Sequence, residues 1–85
     1  MAAASRVRPR ELPLSDKEVA VLREVALGRD TDEIAAILFV SPHTVRTHVK
    51  NGMRKLRARN RAHAVAVALH KGLIEFESEP EREAG

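Results

Sequence analysis

The stretch Ser41–Arg57, SPHTVRTHVKNGMRKLR, holds five Arg and Lys residues and no Asp or Glu, yet its apolar residues recur at helical spacing. Ser41 suits an N-cap, and Pro42 suits the first helical position, where a missing N–H costs nothing. On a wheel at about 100° per residue, Val45, Val49, Gly52 and Leu56 form one stripe, flanked by His48 and Met53. Arg46, Lys50, Arg54 and Arg57 gather on another side with His43, and Thr47 lies beside them. Thr47 and Asn51 edge this ridge with hydrogen-bonding groups that carry no charge. One face of the helix is made to pack and the other to meet a polyanion.

Working outward, the preceding stretch DTDEIAAIL reads as a helix of about two turns over 31–38. Asp30 is its cap and Glu33 the capping-box partner. Ile34, Ile37 and Leu38 are its expected buried face. It is too short to persist alone, so packing must hold it. Only Phe39, Val40 and Ser41 separate it from Pro42, which makes a helix-turn-helix pattern. Further upstream, Ser15 and Glu18 form another capping box. That helix spans about 15–27, buries Val19, Leu22, Val25 and Ala26, and stops at Gly28. Downstream, Asn60 can cap a fourth helix over about 61–71 that ends at Gly72. Its expected core side is Ala64, Val65, Ala68 and Leu69. Its outer side, His63, Ala66, Val67 and His70, carries no Asp, Glu, Lys or Arg, which fits a second subunit better than water.

The chain of 85 residues suits a single small domain. With two Phe and no Trp, Tyr or Cys, the core must come from aliphatic residues, and disulfides and thiolate metal sites are excluded. The fold expected is all-α, a four-helix domain over 14–76. Residues 1–13 read as a basic, proline-containing leader and 77–85 as an acidic tail. No apolar run is long enough to span a bilayer, and no secretory h-region is present. The net charge of +3 hides a sharper asymmetry: Ile34 to Ile74 contains no acid and eight cations, including Lys55, Arg59, Arg61 and Lys71. An acid-free basic window of that length points to nucleic acid. The spacings of His43 and His48, and of His63 and His70, are not those of a metal site. Asp30, Asp32 and Glu33 are explained by capping and the helix dipole without catalysis. No nucleophile has a partner base, so neither an enzyme nor a cofactor is expected.

The elements Glu18, Gly28, Glu33-Ile34-Ala35, Leu38, Ser41, Thr44–His48, Arg54–Leu56, Ala64-Val65 and Gly72–Ile74 closely resemble the LuxR/FixJ-type, GerE-like helix-turn-helix domain of bacterial transcriptional regulators. The resemblance covers residues 14–74. It implies a sequence-specific DNA-binding domain whose third helix enters the major groove of double-stranded DNA. Position by position, it implies base contacts from Arg46, Thr47 and Lys50, and phosphate contacts from Thr44 and Arg54. From their placement, Ser41, His43 and Arg57 join the phosphate set. It also implies a homodimer through the fourth helix on an inverted repeat, weak without DNA, with His63, Ala66, Val67 and His70 at the interface. Contact with RNA polymerase and a cytoplasmic, nucleoid-associated location accompany that reading. Two alternatives share the pattern. One is a module like the promoter-reading, polymerase-docking region of sigma factors, and the other is a helix-turn-helix retained for protein interaction. Gly52 departs from the family, which has an apolar side chain there. Mid-helix Gly costs about 1 kcal/mol relative to Ala, so the third helix is expected to be looser near its middle, with Met53 turning in to fill the gap. On that reading Gly52→Ala would raise stability.

Overall fold

The computed structural model describes residues 14–75. The expected leader 1–13, the tail 77–85 and the last position of the expected domain lie outside them. Four helices follow in order: α1 (Asp16–Ala26), α2 (Thr31–Leu38), α3 (Pro42–Leu56) and α4 (Arg61–His70). No strand occurs among the described residues.

Each helix starts where its side chains satisfy the free N–H groups of the first turn. Ser15 and Glu18 form a reciprocal capping box at α1, and Asp30 and Glu33 do the same at α2. Ser41 Oγ accepts from the Thr44 N–H at 3.0 Å, with Pro42 at the first position of α3. Asn60 Oδ1 accepts from the His63 N–H at 2.8 Å at α4. Gly28, at φ +89°, turns the chain out of α1 in a conformation that side chains resist.

Helix α3 lies at the centre. Its N-terminal half packs Val45 and Val49 against Val21, Ile34 and Ala35. Its C-terminal half, through Met53 and Leu56, borders the second cluster of Leu22, Ala64, Ala68 and Ile74. Adjacent residues of α1 thus serve different clusters. Val21 and Leu22 are fully buried, while Val19, Val25 and Ala26 of the expected stripe are only half-buried. In α2, Ala35 takes the core position, and Ile37 is 44% exposed because so short a helix turns only one narrow face to α1 and α3. In α4, Ala64 and Ala68 are fully buried, and Leu69, expected in the core, is exposed.

One acid is buried. Glu18 is 4% exposed, and Lys55 Nζ of α3 donates to its Oε1 at 2.9 Å. The same oxygen accepts from the Ser15 N–H at 2.9 Å. Burial alone would raise the pKa of this carboxyl, but Lys55 and the Ser15 groups outweigh it and hold it below its ordinary value.

Gly52 also reads differently in three dimensions. Helix α3 runs unbroken through it, and its missing side chain leaves no gap. A Cβ there would lie 3.3 Å from Leu22 Cδ1 and 3.9 Å from Leu14 Cδ2. Leu22 fills from α1 the space that Met53 was expected to fill, and Met53 instead packs between the two clusters. The space is therefore occupied, and adding a methyl group compresses a fully buried leucine.

Two outcomes follow from these contacts. Glu18→Gln should lower the free energy of unfolding at neutral pH by about 3 kcal/mol, because the Lys55 ammonium then loses the buried carboxylate that it pairs with. Pairing it with Lys55→Met should recover most of that loss in urea titrations. Since the folded-state pKa of Glu18 is depressed, the stabilisation is complete above the unfolded-state carboxylate pKa and is lost as pH falls through the folded value. The deficit of Glu18→Gln should accordingly shrink in acid, and a constant deficit would assign it to packing. For Gly52→Ala, overpacking costs of about 1–3 kcal/mol outweigh a helix-propensity gain of about 1 kcal/mol. The melting temperature should therefore fall in the native background and rise in a Leu22→Val background. A rise in both would show that Leu22 yields freely.

Candidate nucleic-acid interface

The turn between α2 and α3 is short and sharply defined. Phe39 closes α2 in the left-handed region at φ 59°, with its N–H bonded to the Ala35 carbonyl. Val40 N–H returns to the same carbonyl at 3.0 Å, and Ser41 then caps α3. A left-handed aromatic residue is uncommon and strained. Its ring is 93% exposed, so it gains no burial in exchange.

This turn fixes how α3 is presented. Val45, Val49 and Gly52 are buried on one side, which leaves Arg46, Thr47, Lys50 and Arg54 exposed on the other. Ser41, His43 and Arg57 are also exposed, and Thr44 is half-buried. Two hydrogen bonds organise the ridge. Arg54 Nη1 donates to Asn51 Oδ1 at 3.0 Å, which orients the guanidinium along the helix. Ser41 Oγ donates to Thr44 Oγ1 at 3.0 Å, which leaves the Thr44 hydroxyl proton to be given elsewhere. Among the described residues the ion pairs are Glu24–Arg29 and Glu18–Lys55, and neither neutralises Arg46, Lys50, Arg54 or Arg57. The ridge is unopposed positive charge on a rigid helix.

Four cations of the acid-free window, Lys55, Arg59, Arg61 and Lys71, lie off this ridge, and two of them have internal partners. Lys55 is turned inward to Glu18 and contributes little to an outward field. Arg61, counted from sequence in the basic window, donates from Nη2 to Thr31 Oγ1 at 2.9 Å across to the start of α2. Sequence reasoning missed both partners, since they lie 37 and 30 residues away along the chain.

On α4 the exposed strip is Ala62, His63, Ala66, Leu69 and His70, with Val67 half-buried at its edge. His63 Nδ1 accepts from the Arg59 N–H at 3.0 Å, which fixes the imidazole against the loop before α4. Leu73, just past the helix, is 39% exposed. His48 lines an apolar cleft with Val21, Leu38 and Val40 between α1 and the turn. Among the described residues no group of three or more His, Asp or Glu gathers as metal ligands would. No described helix is long and apolar enough to cross a membrane.

Comparison with known proteins gives a consistent picture. Residues 12–68 match the family model of bacterial regulatory proteins, luxR family. The probable transcriptional regulatory protein NarL of Mycobacterium tuberculosis is 41% identical over 76 residues, covering 85% of this chain and 35% of that protein. The nitrate/nitrite response regulator protein homolog of Haemophilus influenzae is 43% identical over 54 residues, covering 64% of this chain and 26% of that protein. The chain thus spans about a third or less of the length of these curated relatives. The solved structure of the transcription factor GerE superposes with a TM-score of 0.72 at 26% identity, covering 75% of this chain and 96% of that one.

The strained turn makes a direct prediction. Phe39→Gly should raise the free energy of unfolding by roughly 0.5–1 kcal/mol, since relief of left-handed strain exceeds the entropy glycine loses. A loss of stability in thermal melts would show that the ring packs in solution.

Proposed function

The chain belongs to the luxR family of bacterial regulatory proteins, and from that premise we propose that it is a sequence-specific DNA-binding module of a transcriptional regulator, with α3 in the major groove. The observation that carries this reading is the α3 ridge: exposed, acid-free, and set at a fixed angle by the short turn after α2. Arg46, Thr47 and Lys50 lie on its outward side and meet base edges, where Arg and Lys suit guanine O6 and N7. Ser41, His43, Thr44, Arg54 and Arg57 take phosphates, which sets register without reading sequence.

The action is binding, with no bond made or broken. Cations on the ridge displace counterions from the duplex, so affinity falls steeply with salt. Two copies pair through α4 on an inverted repeat. In support of this, the exposed strip from Ala62 to His70 has no Asp, Glu, Lys or Arg, and Leu69 adds to it an apolar side chain 37% exposed. So small a strip makes a weak dimer that DNA completes. Contact with RNA polymerase and a place in the bacterial cytoplasm, at the nucleoid, belong to the same reading.

Selection from a randomised duplex pool, repeated across a salt series, tests it. An enriched inverted repeat with a steep salt slope is expected, and enrichment of nothing would leave a generic polyanion binder. Arg46→Ala and Lys50→Ala should each cost about 1–3 kcal/mol on the selected duplex and relax preference at one position. Affinity unchanged in both would remove them from the base-reading set.

A further inference from the structure

Helices α2 and α4 do not pack on each other, and one long side chain joins them. No Cα of α2 lies within 8 Å of a Cα of α4, and each of these helices rests on α3 and α1. Helix α2 holds the N-terminal half of α3 through Ile34 and Ala35, which pack with Val45 and Val49. Helix α4 borders its C-terminal half, where Met53 and Leu56 pack against Ala64 and Ala68. Between the starts of α2 and α4 runs the hydrogen bond from Arg61 to the Thr31 hydroxyl, 2.9 Å long and partly buried.

We infer that Arg61, held by Thr31, is a positioning residue that fixes the angle between the dimerising helix and the reading helix. It rests on the reading of α4 as the dimer helix. With the bond made, α2 is tied to α4 as well as to α3, and this closed triangle adds to the packing of α3 on α4 a second restraint on its swing about its C-terminal end. With it broken, the triangle opens at one corner while both core clusters stay intact. In a dimer that corner decides where the second α3 arrives after the first is seated. Half-sites about one helical turn apart demand that both arrive in register. The bond therefore acts on spacing and cooperativity, while contact with a single half-site does not need it.

The test uses the 85-residue chain and two probes: the inverted repeat enriched from a randomised pool, and the same duplex with one half scrambled. Thr31→Val removes the hydroxyl and keeps the shape, Thr31→Ser keeps the hydroxyl, and Arg61→Gln removes the guanidinium. Thr31→Val and Arg61→Gln should hold affinity for the scrambled duplex within about twofold and lower the extra affinity for the intact repeat by about three- to tenfold, the worth of one hydrogen bond. Both should also accept repeats with altered spacing, and Thr31→Ser should behave as the native chain. Equal losses on both duplexes, or Thr31→Ser failing as Thr31→Val does, would reduce Arg61 to a structural residue. Native cooperativity retained in Thr31→Val overturns the inference alone. A pool that yields no inverted repeat overturns the dimer reading, and the inference falls with it.

Discussion

A carboxylate that is 4% exposed must find partners inside the protein, and the arrangement that satisfies Glu18 fixes how α1 meets α3. One oxygen takes both the Ser15 N–H and the Lys55 ammonium, each at 2.9 Å. The start of α1 and the end of α3 are thereby tied at one point, and sliding either helix would strand a buried charge. One turn further along α1, Leu22 comes to rest over Gly52, where the absence of a side chain admits it. On the neighbouring side Val21 meets the cluster of Val45 and Val49. The rotation of α3 about its own axis follows from these contacts, and with it the identity of the residues that face outward.

The charges divide the work. Acids in the described part of the chain serve the framework: Asp30 and Glu33 cap α2, Glu24 pairs with Arg29, and Glu18 takes Lys55. Cations differ in use. Lys55 and Arg61 are spent on internal bonds, whereas Arg46, Lys50 and Arg54 on α3 and Arg57 at its left-handed C-cap have no carboxylate among the described residues to neutralise them.

Much of this was legible from sequence because it is local. Capping residues act within a turn, so Ser15, Asp30, Ser41 and Asn60 marked their helices directly. The two faces of α3 followed from its period, and Val45 and Val49 are buried as the wheel requires. What sequence did not carry is what depends on a partner far along the chain. Lys55 and Arg61 look like any other basic residue until Glu18 and Thr31 are placed beside them. Gly52 looks like a defect until Leu22 is seen above it. Ile37 and Leu69 fit an amphipathic pattern, but helices of 8 and 10 residues bury a narrower face than the pattern offers. The base-reading roles proposed for Arg46, Thr47 and Lys50 rest on family resemblance and exposure together, since exposure alone does not tell a reading residue from a solvated one.

The eight-residue helix α2 has a consequence for how the domain breathes. A helix of that length cannot persist by its own hydrogen bonds, so it exists only while Ile34 and Ala35 hold it down. With two buried side chains to anchor it, it is a segment poised to open in sub-global fluctuations. Its amides should exchange with solvent ahead of those in α1 and α3, and a duplex seated against it would slow them. On the proposed function, a bound duplex would supply part of the free energy for ordering this segment, and tight binding and local protection would be two readings of one equilibrium.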